Sequence, residues 1–93
     1  MNAASALYRT VFAVEAQTEY NALAEAQRDL IDQAVKILER DPRNERATRP
    51  DGPNARRAFV TPDLTIRYGV HRDHLVIAEI NYRHVGSFLI GAE

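Results

Sequence analysis

The stretch Leu64-Thr65-Ile66-Arg67-Tyr68-Gly69-Val70 decides the fold. Apolar and polar positions alternate along it, the period-two pattern of a strand with one covered and one open face. Leu64, Ile66, Tyr68 and Val70 share one face, which should cover a helical layer. Thr65, Arg67 and Gly69 share the other, which should meet solvent or a ligand. Strand signals continue on both sides. Arg56 to Val60 is a short strand, joined through Thr61-Pro62-Asp63 with proline at a favoured turn position. Leu75 to Ile80 is another, joined through the tight connection His71-Arg72-Asp73-His74. Connections this short make an antiparallel meander.

Upstream the period changes. Leu30, Ile31, Ala34, Val35, Ile37 and Leu38 recur at helical spacing, so a helix over Gln27 to Arg40 should pack Leu30, Ala34, Ile37 and Leu38 on the sheet. Asp41-Pro42 ends it, because the residue before a proline is pushed out of the α region. Before it, Glu15 opens a shorter helical segment with Ala16, Tyr20 and Leu23 on one side and Glu15 and Glu19 near its positive N-terminal end. Leu7 to Val14, rich in β-branched and aromatic residues, reads as a first strand. Residues 41–55 hold three of the four prolines and no apolar periodicity, and read as a loop. The expectation is an α+β fold: an N-terminal strand, two helices, then a three-strand antiparallel meander, with the helices on one face of the sheet.

At 93 residues this is one domain, 1–93, with a tail over 85–93 whose Val85, Phe88, Leu89 and Ile90 could dock on the core. With 45% hydrophobic residues the chain is no disordered polymer, and roughly 60–65% of its extended surface can be buried. The absence of cysteine excludes disulfides, Cys-ligated zinc and thiol catalysis. No apolar run approaches the ~20 residues of a membrane span, and Met1 to Ala6 lacks the charged start of a secretory signal, so a cytoplasmic protein is expected. The formal charge is −1 but is unevenly spread. Residues 1–42 carry four basic and seven acidic side chains, whereas residues 43–84 carry eight arginines and five acids.

In this element order the chain resembles the RelE/ParE superfamily of bacterial toxin–antitoxin toxins. The resemblance rests on Tyr8-Arg9-Thr10-Val11-Phe12 followed by Ala16 and Leu23, the helix end Ile37-Leu38-Glu39-Arg40-Asp41-Pro42, the Arg56-Arg57 pair before Ile66-Arg67-Tyr68-Gly69-Val70, and the strand Leu75 to Ile80 with Arg83 just beyond. It covers roughly residues 7–84. In the mRNA-cleaving branch the central strand usually reads Tyr-Arg-x-x-Tyr. Here the matching run is Leu64-Thr65-Ile66-Arg67-Tyr68, so Thr65 stands at the arginine position and Arg67 lies two residues later on the same face.

The resemblance implies an endoribonuclease acting on ribosome-bound mRNA. Attack by a 2′-hydroxyl needs a base, cations for the phosphorane charge and an acid for the leaving oxygen. Arginine suits only the middle role, since it stays protonated. Arg67, Arg83 and His84 are the candidate catalytic set, His84 being able to exchange a proton near neutral pH. Arg56, Arg57 and Tyr82 are candidates for nucleic-acid contact, Tyr82 as a stacking platform. The plainer alternative is surface arginines paired with Glu79 and Asp63, and Tyr82 closing the edge of the core. His71-x-x-His74 with Asp73 offers three metal ligands and no fourth, and reads as a polar turn. No phosphate-binding glycine loop or zinc-protease helix occurs, so neither metal nor cofactor is expected.

A second reading is a non-enzymatic ParE-like inhibitor of DNA gyrase, or a binding module that keeps only the fold. A third is a homodimer formed through an exposed sheet edge. In either toxin reading the implied partner is a cognate antitoxin that docks a segment in an apolar groove and covers the arginine face with acidic side chains.

Overall fold

A computed structural model describes residues 7–83. The elements run β1 (Arg9–Phe12), α1 (Val14–Ala22), α2 (Glu25–Arg40), β2 (Thr48–Pro50), β3 (Arg56–Thr61), β4 (Leu64–His71) and β5 (His74–Tyr82). They form an α+β fold, with two helices on one face of a five-stranded sheet of order β1-β5-β4-β3-β2. The expected meander is β3-β4-β5. β1 lies parallel to β5, and every other pairing is antiparallel.

The alternation along β4 is as the sequence dictates. Leu64, Ile66 and Tyr68 are buried at 1% exposure or less, while Thr65 and Arg67 lie on the open face. Tyr68 donates its hydroxyl to the Pro42 carbonyl, which ties the central strand to the end of α2. Across the sheet Tyr68 sits opposite Ile77 and Ile66 opposite Ile80. Ile77 and Ile80 are three residues apart, an odd spacing that strict alternation would send to opposite faces. A bulge at Ala78–Glu79, where the β4–β5 register shifts, returns both to the core. Beyond Phe12 the free edge of β5 is covered by α1, whose Glu19 carboxylate accepts the Ile80 N–H at 2.8 Å.

Three expectations are corrected. The first strand ends at Phe12, and the helix starts at Val14, because the Ala13 N–H makes its ladder bond to Ile77 and the chain then turns. The loop over 41–55 contains β2, three residues paired with β3. Its core contact is Thr48, whose hydroxyl donates to the Asn44 carbonyl at 2.5 Å and accepts from Arg56. The apolar stripe of α2 is wider than the face it buries. Ile31 and Leu38 are in the core, but Leu30 and Ile37 are 38% and 54% exposed. With Phe59 they line a groove of about 180 Å³ between α2 and β3. The apolar residues of the 85–93 tail lie outside the described residues.

The helices are joined by contacts rather than by strong caps. Ala13 and Ala24 precede them with no side-chain cap, and a glutamate in each first turn favours the helix dipole. Tyr20 packs edge-on against Phe12 and donates to Asp32 at 2.8 Å, linking α1 to β1 and α2.

Leu38→Ala should therefore cost ~2–5 kcal/mol in urea unfolding, and Ile37→Ala about 0.5 kcal/mol or less. Equal losses would mean that α2 is rotated from the arrangement described. Tyr68→Phe removes the partner of a buried carbonyl and should cost about 1–2 kcal/mol. Burial pushes the Tyr68 phenol above its ordinary value of 10.0. Its neutral form is thus favoured by folding, so this stability is present below pH 10 and is lost as pH rises through the higher folded value. The alkaline decline should be shallower in Tyr68→Phe when melting is followed from pH 8 to 11.

Candidate functional site

Directly opposed residues of neighbouring strands share a face, and the register puts a row of arginines on the open one. Arg49 is opposite Arg57, Arg57 opposite Arg67, and Arg67 opposite Glu79. Like charges directly opposite one another are destabilising, so the row needs neutralising contacts. They come mainly from one residue. Asp51 Oδ2 lies 3.1 Å from Arg57 Nε, 3.0 Å from its second terminal nitrogen and 3.3 Å from Arg67 Nε. The remaining Arg57 terminal nitrogen donates to Thr65 Oγ1 at 2.9 Å and to Asn81 Oδ1 at 2.8 Å. Arg49 turns away to the Glu45 and Thr48 carbonyls, both at 3.0 Å.

The loop that delivers Asp51 has a shape set by its backbone. The Asp51 N–H donates to the Ala55 carbonyl at 2.8 Å, and Gly52 takes φ +99°, a conformation that favours glycine. The Asn54 carbonyl then runs so close to Gly69 that a Cβ there would meet it at 3.1 Å. The space beside Gly69, which the sequence suggests could admit a ligand backbone, is taken by the chain's own backbone.

The structure brings Arg57 and Arg67 together on the open face. Arg83 follows just beyond β5, and its N–H donates to the Asp63 carbonyl at 2.8 Å. That bond continues the β4–β5 ladder, so the backbone position of Arg83, two beyond Asn81, falls on the same face. Two candidates are separated from this group by strand alternation. Arg56 is opposite Tyr68 on the covered face and donates to Thr48 Oγ1 at 2.9 and 3.1 Å. Tyr82 pairs with Leu64 at the covered edge, where its hydroxyl accepts a 3.4 Å bond from Gln27. His84 lies outside the described residues.

Sequence reasoning missed Asp51, Asn81 and Arg49. Asp51 stands in a Pro50-Asp51-Gly52-Pro53 turn whose composition marks a turn but not its destination, and the other two depend on register. The carboxylate that reaches the arginines is Asp51, where the plainer alternative named Glu79 and Asp63. At the other end of the sheet His74 pairs with Asp73 at 3.0 Å. Among the described residues no group of three or more His, Asp or Glu side chains is placed to hold a metal ion, and no helix is long and apolar enough to cross a membrane.

This architecture is that of the RelE-like toxins. The E. coli RelE toxin superposes with a TM-score of 0.70 at 15% identity, over 91% of this chain and 97% of that one. RelE in the archaeal RelE–RelB complex from Pyrococcus horikoshii gives 0.68 at 19% identity, over 84% and 97%. The YoeB dimer from Staphylococcus aureus gives 0.66 at 16% identity, over 85% and 100%. No protein-family model matches the sequence, and neither does any curated protein. At these identities the likeness is one of fold.

The two arginines should respond differently to truncation. Arg57→Ala breaks contacts to three side chains, on β4, on β5 and in the β2–β3 loop, and should lower unfolding stability by roughly 1–3 kcal/mol. Among the described residues Arg67 has one partly exposed ion pair, so Arg67→Ala should cost about 0.5 kcal/mol or less. Denaturant titration of the two variants decides this.

Proposed function

We propose that this protein is the toxin of a bacterial toxin–antitoxin system and cleaves ribosome-bound mRNA on the open face of its sheet. One observation carries the proposal. The guanidinium of Arg57 reaches Thr65 Oγ1 at 2.9 Å, so a cation from the neighbouring strand lies over the position where the family resemblance expects an arginine. With Arg67 opposite Arg57 on the neighbouring strand, two guanidinium groups lie on the face where a phosphodiester, and the charge that grows on it during attack, would be met. Arg83 follows on the same side by ladder parity. His84, next in sequence, is the proposed proton carrier.

In this scheme the 2′-hydroxyl loses its proton to a base and attacks phosphorus, and the 5′-oxygen leaves with a proton from an acid. The arginines hold the non-bridging oxygens and transfer no proton. Arg56 and Tyr82, being on the covered side, support the fold and are not assigned to RNA contact.

The proposed partner is an antitoxin, bound to this chain as RelB is bound to RelE in the archaeal complex. The groove walled by Leu30, Ile37 and Phe59 supports such a partner, since large apolar side chains are left exposed around a concave surface. The near-neutral overall charge favours one alternative, a ParE-like gyrase inhibitor that binds without cleaving.

Expression without a partner should arrest bacterial growth, and Arg67→Ala should relieve the arrest while lowering ribosome-dependent mRNA cleavage by about two to three orders of magnitude. Arrest with intact mRNA and inhibited supercoiling would select the gyrase reading. Unimpeded growth at high soluble expression would remove both.

A further inference from the structure

The Arg57–Arg67 pair does not stand open to an incoming anion, because one carboxylate oxygen already bridges it. Three contacts from the two guanidinium groups converge on Asp51 Oδ2, at 3.0, 3.1 and 3.3 Å. An oxygen shared by two guanidinium groups is the arrangement a non-bridging phosphate oxygen would take in the same place. We propose that Asp51 is an internal counter-ion that closes the Arg57–Arg67 seat, so that a phosphate group enters only by displacing its carboxylate. The clause that the phosphate belongs to RNA rests on the proposed function; the seat and its occupant rest on the geometry alone.

Three features separate this role from that of a structural staple. Arg57 is held without Asp51, since Thr65 and Asn81 fix its other terminal nitrogen at 2.9 and 2.8 Å. The loop is likewise held without the carboxylate, through the Asp51 N–H to Ala55 bond, the Gly52 conformation and the packing of Asn54 against Gly69. The pair itself is cheap to open. Asp51 and Arg67 side chains are 37% and 36% exposed, and ion pairs at that exposure are weak and screened by salt. Removing the negative charge therefore leaves Arg57 held by Thr65 and Asn81, and releases the Arg67 guanidinium, rooted directly opposite it on β4, to an incoming anion.

The test uses the whole chain with inorganic pyrophosphate as probe, followed through the arginine Nε–H resonances, in wild type, Asp51→Asn and Asp51→Asn with Arg67→Ala. The single variant should saturate at a pyrophosphate concentration at least ten-fold lower than wild type, and the added Arg67→Ala should abolish that gain. The gain should shrink as salt is raised from 50 to 500 mM. Asp51→Ser gives the same comparison should the asparagine variant fail to fold. Equal or weaker binding by the charge-neutral variants, with melting lowered, would make Asp51 a staple and overturn the proposal. A second titration with a 2′-O-methyl RNA oligonucleotide separates the two ideas. Pyrophosphate gain with no RNA binding by any variant removes the RNA reading and leaves the seat. RNA bound equally by wild type and Asp51→Asn removes the counter-ion and leaves the RNA reading.

Discussion

A slip of β4 by one residue would carry Arg67 into the core and Tyr68 out of it, and that constraint governs the rest of the molecule. Strand side chains alternate, so every residue of β4 is committed to a face once any one is. The commitment is made by Leu64, Ile66 and Tyr68, all at 1% exposure or less, and by the Tyr68 hydroxyl reaching Pro42. Burying three such side chains is worth several kcal/mol, and an unpaired guanidinium in the core would cost more again. The helices are placed by the same contact, because Pro42 is where α2 stops. The arginine face is thus a by-product of packing: it is open because the other side of the same strands holds the core.

Features that depend on neighbours in sequence were legible in it. The alternation of β4, the proline stop of α2 and the short connections on either side of β4 each follow from local chemistry, and together they define an α+β layer. Features that depend on distant partners were not. Leu30 and Ile37 have the spacing of core residues, yet α2 buries only the side carrying Ile31 and Leu38, and nothing local says which edge of a wide stripe wins. Thr48-Arg49-Pro50 is too short, and sits among too many turn formers, to read as a strand; pairing with β3 makes it one. The bulge at Ala78–Glu79 is the clearest case, since the odd spacing of Ile77 and Ile80 makes sense only against Tyr68 and Ile66.

The candidate site was legible to the same extent. Arg67 could be assigned to the open face from its own strand. Its relation to Arg57 needed the β3–β4 register, and its relation to Asp51 needed the path of a loop with a proline and a glycine at positive φ. Gly69 shows how a correct physical inference can meet an unexpected occupant. A residue without a side chain does permit close backbone approach, and the backbone that approaches is Asn54 of the same chain. That approach seats the loop, and the seated loop presents Asp51.

Thr65 then takes on a meaning that its own side chain would not suggest. A hydroxyl cannot supply the positive charge that an arginine would, but it can accept a hydrogen bond from one, and Arg57 donates to it from the next strand. Asn81, opposite Thr65 on β5, accepts from the same nitrogen. The two short acceptors hold one end of a longer cation, so the charge reaches position 65 while its backbone belongs to β3. Where a charge stands on a sheet is set by register and side-chain length together. An arginine rooted one strand sideways, with small polar residues beneath it, thus brings its charge over position 65, next to Arg67, and the Asp51 carboxylate bridges the two.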